Sequence, residues 1–271
     1  MKHIDDIRAL TELLLGSKNF HSLVIEGAPG WGKSTTVEKI LQEKQIPFVT
    51  LGSYTTPLRL FSFLSENSKR TVVVDDCAGI FGDIIAMSIL KAATWPSSGT
   101  EGTRLVTWGT TSEKVGTQDF FFEGKVILIT NAVPSSGDGM AFVSRSLHYS
   151  ITPSIQDMEY IVRTAASSPV FSNQNAAAVA ANCLIEQGRK ADFRGVNLRT
   201  LHLGYELAAS GRSDWKELFL KLLPAADPIQ LAYLKSSDAD TSVEQQFRDF
   251  YQLTGLSRRT FFYYRQRARQ N

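Results

Sequence analysis

Cysteine is scarce in this chain. Two occur in 271 residues, Cys77 and Cys183, far apart and in apolar surroundings. That spacing excludes a disulfide scaffold and a cysteine metal site, and predicts two small core residues in a reducing compartment. Long apolar runs are missing as well. The longest, Ala176 to Ile185, is broken by Asn182 and falls short of the roughly 18 residues that a membrane span requires. The N-terminal segment has Asp5 and Asp6 where a signal peptide needs positive charge, and its Leu13-Leu14-Leu15 run is too short for an h-region. A soluble cytoplasmic protein with no membrane partner is expected. Glycine and proline, at 19 and 9 residues, are too few for a collagen-like or disordered chain.

Net charge is almost absent too, with 29 basic against 27 acidic residues and a formal +2. This excludes a uniformly basic, DNA-coating protein. The charge present is unevenly placed. Between Val243 and Asn271 there are six arginines, no lysine and two acids, so this tail carries +4 and the rest of the chain −2.

Apolar periodicity gives alternating strands and helices first, and helices alone later. A helix is predicted over 4–15, a strand over Ser22–Glu26, a helix from Lys33 to about Glu43, a strand over Pro47–Leu51, a helix over Pro57–Glu66 and a strand over Thr71–Asp75. A buried strand at Val126–Thr130 closes the pattern. Alternation at this pitch indicates a parallel sheet covered on both faces. Two further β-rich segments, Thr103–Trp108 and Asp119–Phe122, flank a polar stretch over 109–116 and predict a hairpin. After Pro153 helices are expected over 154–166, 174–187, 196–209 and 213–223. Three more follow over 228–236, 243–253 and 257–269. The expected domains are an α/β core over 1–150, a helical segment over 151–226 and a C-terminal segment over 227–271.

One motif carries specific chemistry. Gly27-Ala28-Pro29-Gly30-Trp31-Gly32-Lys33-Ser34 fits the phosphate-loop pattern G-x-x-x-x-G-K-[ST], between a predicted strand and a predicted helix, with Thr35 following. Glycines let successive backbone N–H groups turn inward around phosphate oxygens. The helix N-terminus adds partial positive charge. Lys33 is placed to meet the β- and γ-phosphates of ATP, and the Ser34 hydroxyl to meet Mg²⁺.

Val72-Val73-Val74-Asp75-Asp76 delivers two carboxylates at a strand end, with Asp75 42 residues after Lys33. Asp75 suits Mg²⁺ and Asp76 suits polarisation of an attacking water; a pair of Asp at a strand end also suits a plain turn. The arrangement resembles the AAA+ superfamily of ATPases, whose second acidic motif usually ends Asp-Glu where this one ends Asp-Asp. Val126-Ile127-Leu128-Ile129-Thr130-Asn131 resembles the sensor-1 strand, which implies that Asn131 contacts the γ-phosphate and the attacking water. Phe142-Val143-Ser144-Arg145 resembles the segment ending in an arginine finger, which implies that Arg145 serves the nucleotide of a neighbouring subunit. Asn197-Leu198-Arg199 resembles sensor 2, and implies that Arg199 reaches the γ-phosphate. Arg163 and Arg194 compete for the arginine roles. The resemblance implies an α/β P-loop AAA+ core with a parallel sheet and a β-hairpin insertion, an all-α lid and a small C-terminal helical segment.

In the tail, Phe250 to Tyr264 resembles a helix-turn-helix with Gly255 in the turn, Leu256 packing inward and Ser257 capping the second helix. This points Arg258, Arg259 and Arg265 at DNA, with Arg267 and Arg269 available to phosphates. A basic amphipathic helix used for subunit packing has the same pattern. Lys114, at the hairpin tip, offers a further phosphate contact if the hairpin points into a ring pore. The function implied is an ATP hydrolase that assembles into a ring or filament on DNA, as a replication initiator, helicase or helicase loader does, with a replicative helicase or other replication protein as a further partner. An ATP-controlled DNA-binding switch with little turnover is the alternative.

Overall fold

Three segments carry an unbroken run of at least three aliphatic residues, and they become the central strands of a parallel sheet: β1 (Ser22–Gly27), β3 (Thr71–Asp75) and β6 (Val126–Thr130). With β2 (Phe48–Gly52) and β7 (Leu147–Ile151) they form five strands in the order β2-β3-β6-β1-β7. The computed structural model describes residues 2–77, 79–96, 103–109, 119–134, 137–190, 193, 195–223, 228–237 and 241–270. Two compact units divide the chain, Met1–Ile151 and Thr152–Asn271.

Side chains alternate across each strand, so each central strand serves two cores. Val24, Val72, Val74, Val126 and Leu128 pack with Leu60, Phe61 and Leu64 of α3 (Pro57–Glu66) and with Met87 and Leu90 of α4 (Ile84–Thr94). Leu23, Ile25, Val73, Ile127 and Ile129 pack with Ile7 and Leu14 of α1 (Lys2–Gly16) and with Val37, Ile40 and Leu41 of α2 (Lys33–Glu43). At about 1.5–3 kcal/mol for each buried aliphatic side chain, this double coverage is what holds the sheet.

The elements fall where the periodicity puts them, with additions. The sheet does not close at β6: β7 follows, preceded by the short helix α5 (Gly137–Val143). As a half-covered edge strand, β7 alternates Leu147, Tyr149 and Ile151 inward with His148 and Ser150 outward. The apolar run that marks a central strand is therefore missing. The predicted hairpin is present as β4 (Arg104–Thr107) antiparallel to β5 (Asp119–Phe122), with Arg104 opposite Phe122. Phe120 and Trp108 pack on Phe61 at ring distances of 5.1 and 5.6 Å. The tip over 110–118, including Lys114, lies outside the described residues.

In the second unit, α6 (Ile155–Ala166), α7 (Gln174–Lys190), α8 (Leu198–Ala209) and α9 (Trp215–Leu222) enclose one core. Ser154 and Asp157 form a capping box on α6, and Asn197 caps α8 by accepting from the Arg199 and Thr200 N–H groups. A separate small core of Tyr233, Phe250, Phe261 and Tyr264 joins α10 (Pro228–Ser236), α11 (Val243–Thr254) and α12 (Arg258–Gln270).

At the N-terminal ends of the strands two cationic side chains, Arg104 and Lys125, crowd together with the His21 imidazole. Arg104 is 2% exposed; one of its N–H groups donates to the Gly124 carbonyl at 2.8 Å and its plane lies over Phe122, while Nε and Nη1 have no partner. Burial lowers its pKa to about 10. Lys125 donates to the carbonyls of Ser17 and Phe20, and burial with Arg104 nearby lowers its pKa to about 8. Burial, Arg104 and Lys125 together hold the His21 imidazole at about 4. An unfolded histidine titrates near 6.5, so as pH falls from about 6.5 to about 4 the unfolded chain binds a proton that the folded chain refuses, and stability drops through that window. Replacing Arg104 by Met removes a buried cation with two unpartnered nitrogens. It should leave stability unchanged or raise it by ~1–2 kcal/mol at pH 7. It should also reduce the drop in melting temperature between pH 7 and pH 4.5, which thermal unfolding at the two pH values measures.

Candidate functional site

The strand register brings three loops to one edge. Glu26 pairs with Thr130, and Asp75 pairs with Ile129. Gly27, the last residue of β1, is therefore level with Asn131, the first after β6, and Asp76, the first after β3, lies one residue lower, all at the carboxyl edge of the sheet, where open parallel sheets bind their ligands.

The phosphate loop begins at Gly27, where an added Cβ would stand 2.9 Å from Ile151 Cβ, so a larger residue does not fit against β7. At its other end Gly32 takes φ 75° as the residue that starts α2, a conformation costly to any residue with a Cβ. Ala28 and Pro29 are exposed on the outer turn. Trp31 behaves differently from its neighbours: its ring is buried, 3% exposed, and set edge-on to His3 of α1, whose Nε2 lies 3.3 Å from the Trp31 carbonyl. The ring is thus the anchor of the loop, and what Trp31 offers a phosphate is its backbone. Ser34 and Thr35 follow in the first turn of α2, Ser34 half-buried and Thr35 exposed.

Lys33 is 7% exposed. Its Nζ donates to the carbonyls of Gly27 (2.6 Å) and Ala28 (2.9 Å), and to Oδ1 of Asn131 (3.4 Å). Asn131 Nδ2 in turn donates to Oδ1 of Asp76 at 3.1 Å. A continuous polar chain, Lys33–Asn131–Asp76, thus joins the ends of β1, β6 and β3. Asp76 holds φ 48°, in the left-handed region that Asp and Asn tolerate best among residues with a side chain. Its N–H donates to the Ile129 carbonyl. Asp75 ends β3 on the same face as Val73, the side covered by α2. A cavity of about 150 Å³ opens beside Asp76 and Asn131, walled by Val74, Cys77, Ile80 and Phe81. Cys77 has no part in the chemistry: it is buried, its Sγ donates to the Leu51 carbonyl, and burial with Asp75 and Asp76 nearby pushes its pKa up to about 11.

Two residues the sequence did not flag brace this edge. Glu26 accepts from the Val133 N–H at 3.1 Å and meets His148 Nε2 at 3.2 Å, so one carboxylate links β1, β7 and the loop after Asn131. A single Glu closing an otherwise apolar strand was the available signal.

Solved structures share this architecture. A proline-to-glycine variant of Thermotoga maritima RuvB superposes with a TM-score of 0.52 at 12% identity, covering 94% of this chain and 88% of that one. The fold is that of the AAA+ P-loop ATPases. An alanine-to-serine variant of the same RuvB gives 0.50 at 12% identity with the same coverage. Domain III of the Thermotoga maritima replication initiation protein DnaA gives 0.45 at 15% identity, over 80% of this chain and 90% of that one. No family model and no curated relative matches the sequence.

Within this α/β core the predicted residues separate into groups. Lys33, Asn131 and Asp76 are brought together, with Asp75 and Ser34 on the adjoining strand end and helix start. Arg145 is not. It lies in the turn after α5, just before β7, and Leu147 pairs with Leu23 at the start of β1. Gly27 is therefore about 13–16 Å further along the sheet, at ~3.3 Å per residue. Arg199 belongs to the second unit, exposed in the first turn of α8. Of its competitors, Arg163 is engaged with Asn182 Oδ1 at 2.9 Å, and Arg194 lies outside the described residues.

In the tail, Gly255 at φ 67° ends α11 and Ser257 leads into α12. Arg258 is committed within it: it pairs with Glu244 at 2.7 Å and stacks on Phe247 and Phe262. Arg259 is exposed, and Arg265 lies over Phe262. The side chains of Arg267 and Arg269 lie outside the described residues.

Asp76→Asn keeps a residue suited to the left-handed backbone and an oxygen for Asn131, so its melting temperature should match the parent, whereas Asp76→Val should lower it by several degrees through strain. Circular dichroism melts of the two variants measure this.

Proposed function

We propose that the protein is an oligomeric ATPase that binds and hydrolyses ATP to act on DNA, in the manner of a replication initiator, helicase or helicase loader. The observation carrying this reading is the Lys33–Asn131–Asp76 chain at the mouth of a phosphate loop. ATP phosphates would displace the loop carbonyls from Lys33 and take up the inward N–H groups and the N-terminus of α2. Asn131, already aimed at both Lys33 and Asp76, would orient the water, and Asp76 would accept its proton as the water attacks the γ-phosphorus and ADP departs. Arg199 would come from the lid, and Arg145 from a neighbouring subunit.

The Ser34 hydroxyl and the Asp75 carboxylate are hard oxygen donors that fit Mg²⁺, which is held by one or two protein oxygens together with substrate phosphates and water. No cluster of three His, Cys, Asp or Glu is present among the described residues. When bound, Mg²⁺ would neutralise charge on the β- and γ-phosphates.

The ATP-controlled switch with little turnover is favoured by one feature, the short Asp76 side chain held by Asn131 in place of a longer glutamate. Steady-state hydrolysis with and without single- and double-stranded DNA separates the two readings. DNA-stimulated turnover is expected for the motor; tight ATP-dependent DNA binding without turnover would overturn it in favour of the switch.

The tail supplies the DNA contact on this reading, and with Arg258 committed to Glu244 the charge falls to Arg259 and Arg265. Replacing both by Ala should weaken duplex binding about tenfold or more and lower the salt slope by about one for each phosphate that is no longer neutralised, with ATP binding unchanged. Fluorescence anisotropy across a salt series reads both quantities, and unchanged affinity would remove the tail from the interface.

A further inference from the structure

Trp95, the residue after α4, and Arg145, in the turn after α5, come from different elements and meet at the surface. The Arg145 guanidinium lies over the Trp95 ring, 5.6 Å from its centroid. Trp95 is 50% exposed, an unusual setting for the largest apolar side chain. Arg145 is exposed and, among the described residues, has no carboxylate partner.

The platform beneath the pair is firm. Lys91 of α4 and Asp138 of α5 form an ion pair at 2.6 Å, and the Trp95 N–H donates to the Lys91 carbonyl. Next to Arg145, Ser146 Oγ donates to the Phe142 carbonyl and lies 2.7 Å from Ser22 Oγ at the start of β1. The pair therefore sits at the end of the sheet opposite its own phosphate loop, further from that loop than an arginine side chain reaches.

We propose that Trp95 is a positioning residue that holds the Arg145 guanidinium ready for the triphosphate of a second copy of this chain seated on this edge. The inference rests on the reading of Arg145 as acting between subunits. A long arginine side chain loses much rotamer freedom when it engages a ligand. Stacking on an aromatic face removes part of that freedom beforehand without occupying any of the five N–H donors and without neutralising the charge. A carboxylate partner would do the opposite on both counts. An unpaired, preoriented cation complements a polyanion, and the chain's own polyanion site lies at the other end of the sheet.

The test uses the full-length protein at concentrations where it self-associates. Arg145→Ala should reduce kcat at least a hundredfold. Trp95→Ala should reduce kcat about three- to tenfold with KM within twofold, with sedimentation and melting temperature unchanged, and Trp95→Phe should recover most of the activity. Mixing Trp95→Ala with Lys33→Ala, which lacks its own site but carries an intact Trp95–Arg145 pair, should restore part of the turnover. Wild-type kcat in Trp95→Ala alongside a damaged Arg145→Ala would overturn the role of Trp95 and leave that of Arg145 standing. A Trp95→Phe variant as impaired as Trp95→Ala would overturn stacking as the cause. Unchanged turnover in Arg145→Ala would overturn the reading beneath the proposal, and the proposal with it.

Discussion

The hydrogen-bond ladder among β1, β6 and β3 sets everything else in the first unit. Its register places Gly27 level with Asn131 and Asp76 within one residue of them, and no single loop holds the site together without it. Each loop alone is a poor structure: one is glycine-rich, one contains an aspartate at positive φ, and one is a short polar exit from a strand. Joined at the sheet edge they share Lys33, Asn131 and Asp76 in one polar chain. The energy that fixes this geometry comes from the faces of the sheet, where alternate side chains of the same strands fill two separate cores.

The same parallel arrangement sorts charge along the sheet. Carboxylates gather at the C-terminal ends, with Glu26 on β1 and Asp75 and Asp76 at the end of β3, on either side of β6, whereas Arg104, Lys125 and His21 gather at the N-terminal ends. The two groups do different work. At the cationic end Lys125 satisfies carbonyls of the chain entering β1, and burial weakens the hold of these groups on their protons. At the acidic end the carboxylates are only partly buried or exposed, which suits groups that must meet water and a cation.

Most of this was legible in the sequence wherever an element had a single consistent pattern. The phosphate loop, the Asp75-Asp76 strand end and the Val126–Asn131 strand each combine a continuous apolar run with an abrupt polar stop, and a buried central strand demands that pattern. The edge strand β7 has one wet face, so His148 and Ser150 interrupt its pattern and the run reads as loop. Arg104 defeats a residue-type reading altogether: it is charged yet fully buried, stacked on Phe122 in a hairpin whose sequence suggests an outward-facing cation. Trp31 belongs to the phosphate motif by position but to the core by packing, because α1 places His3 against it. Tertiary contacts such as Arg258 with Glu244 and Arg145 with Trp95 link residues whose spacing carries no local signal.

The placement of Arg145 separates it from the phosphate loop of its own chain. Lys33 is the cation that the first unit brings to its own phosphate loop, and it spends its donors there on carbonyls and Asn131. Arg145 sits where the sheet begins, and the turn that carries it is tied to β1 through Ser146 and Ser22, so it cannot swing to the other end without unmaking the edge of the sheet. On the proposed reading, charge that builds on a γ-phosphate would be met by Lys33 from within and by Arg145 from a second copy. A site divided in this way would make hydrolysis depend on a second copy, on that same reading.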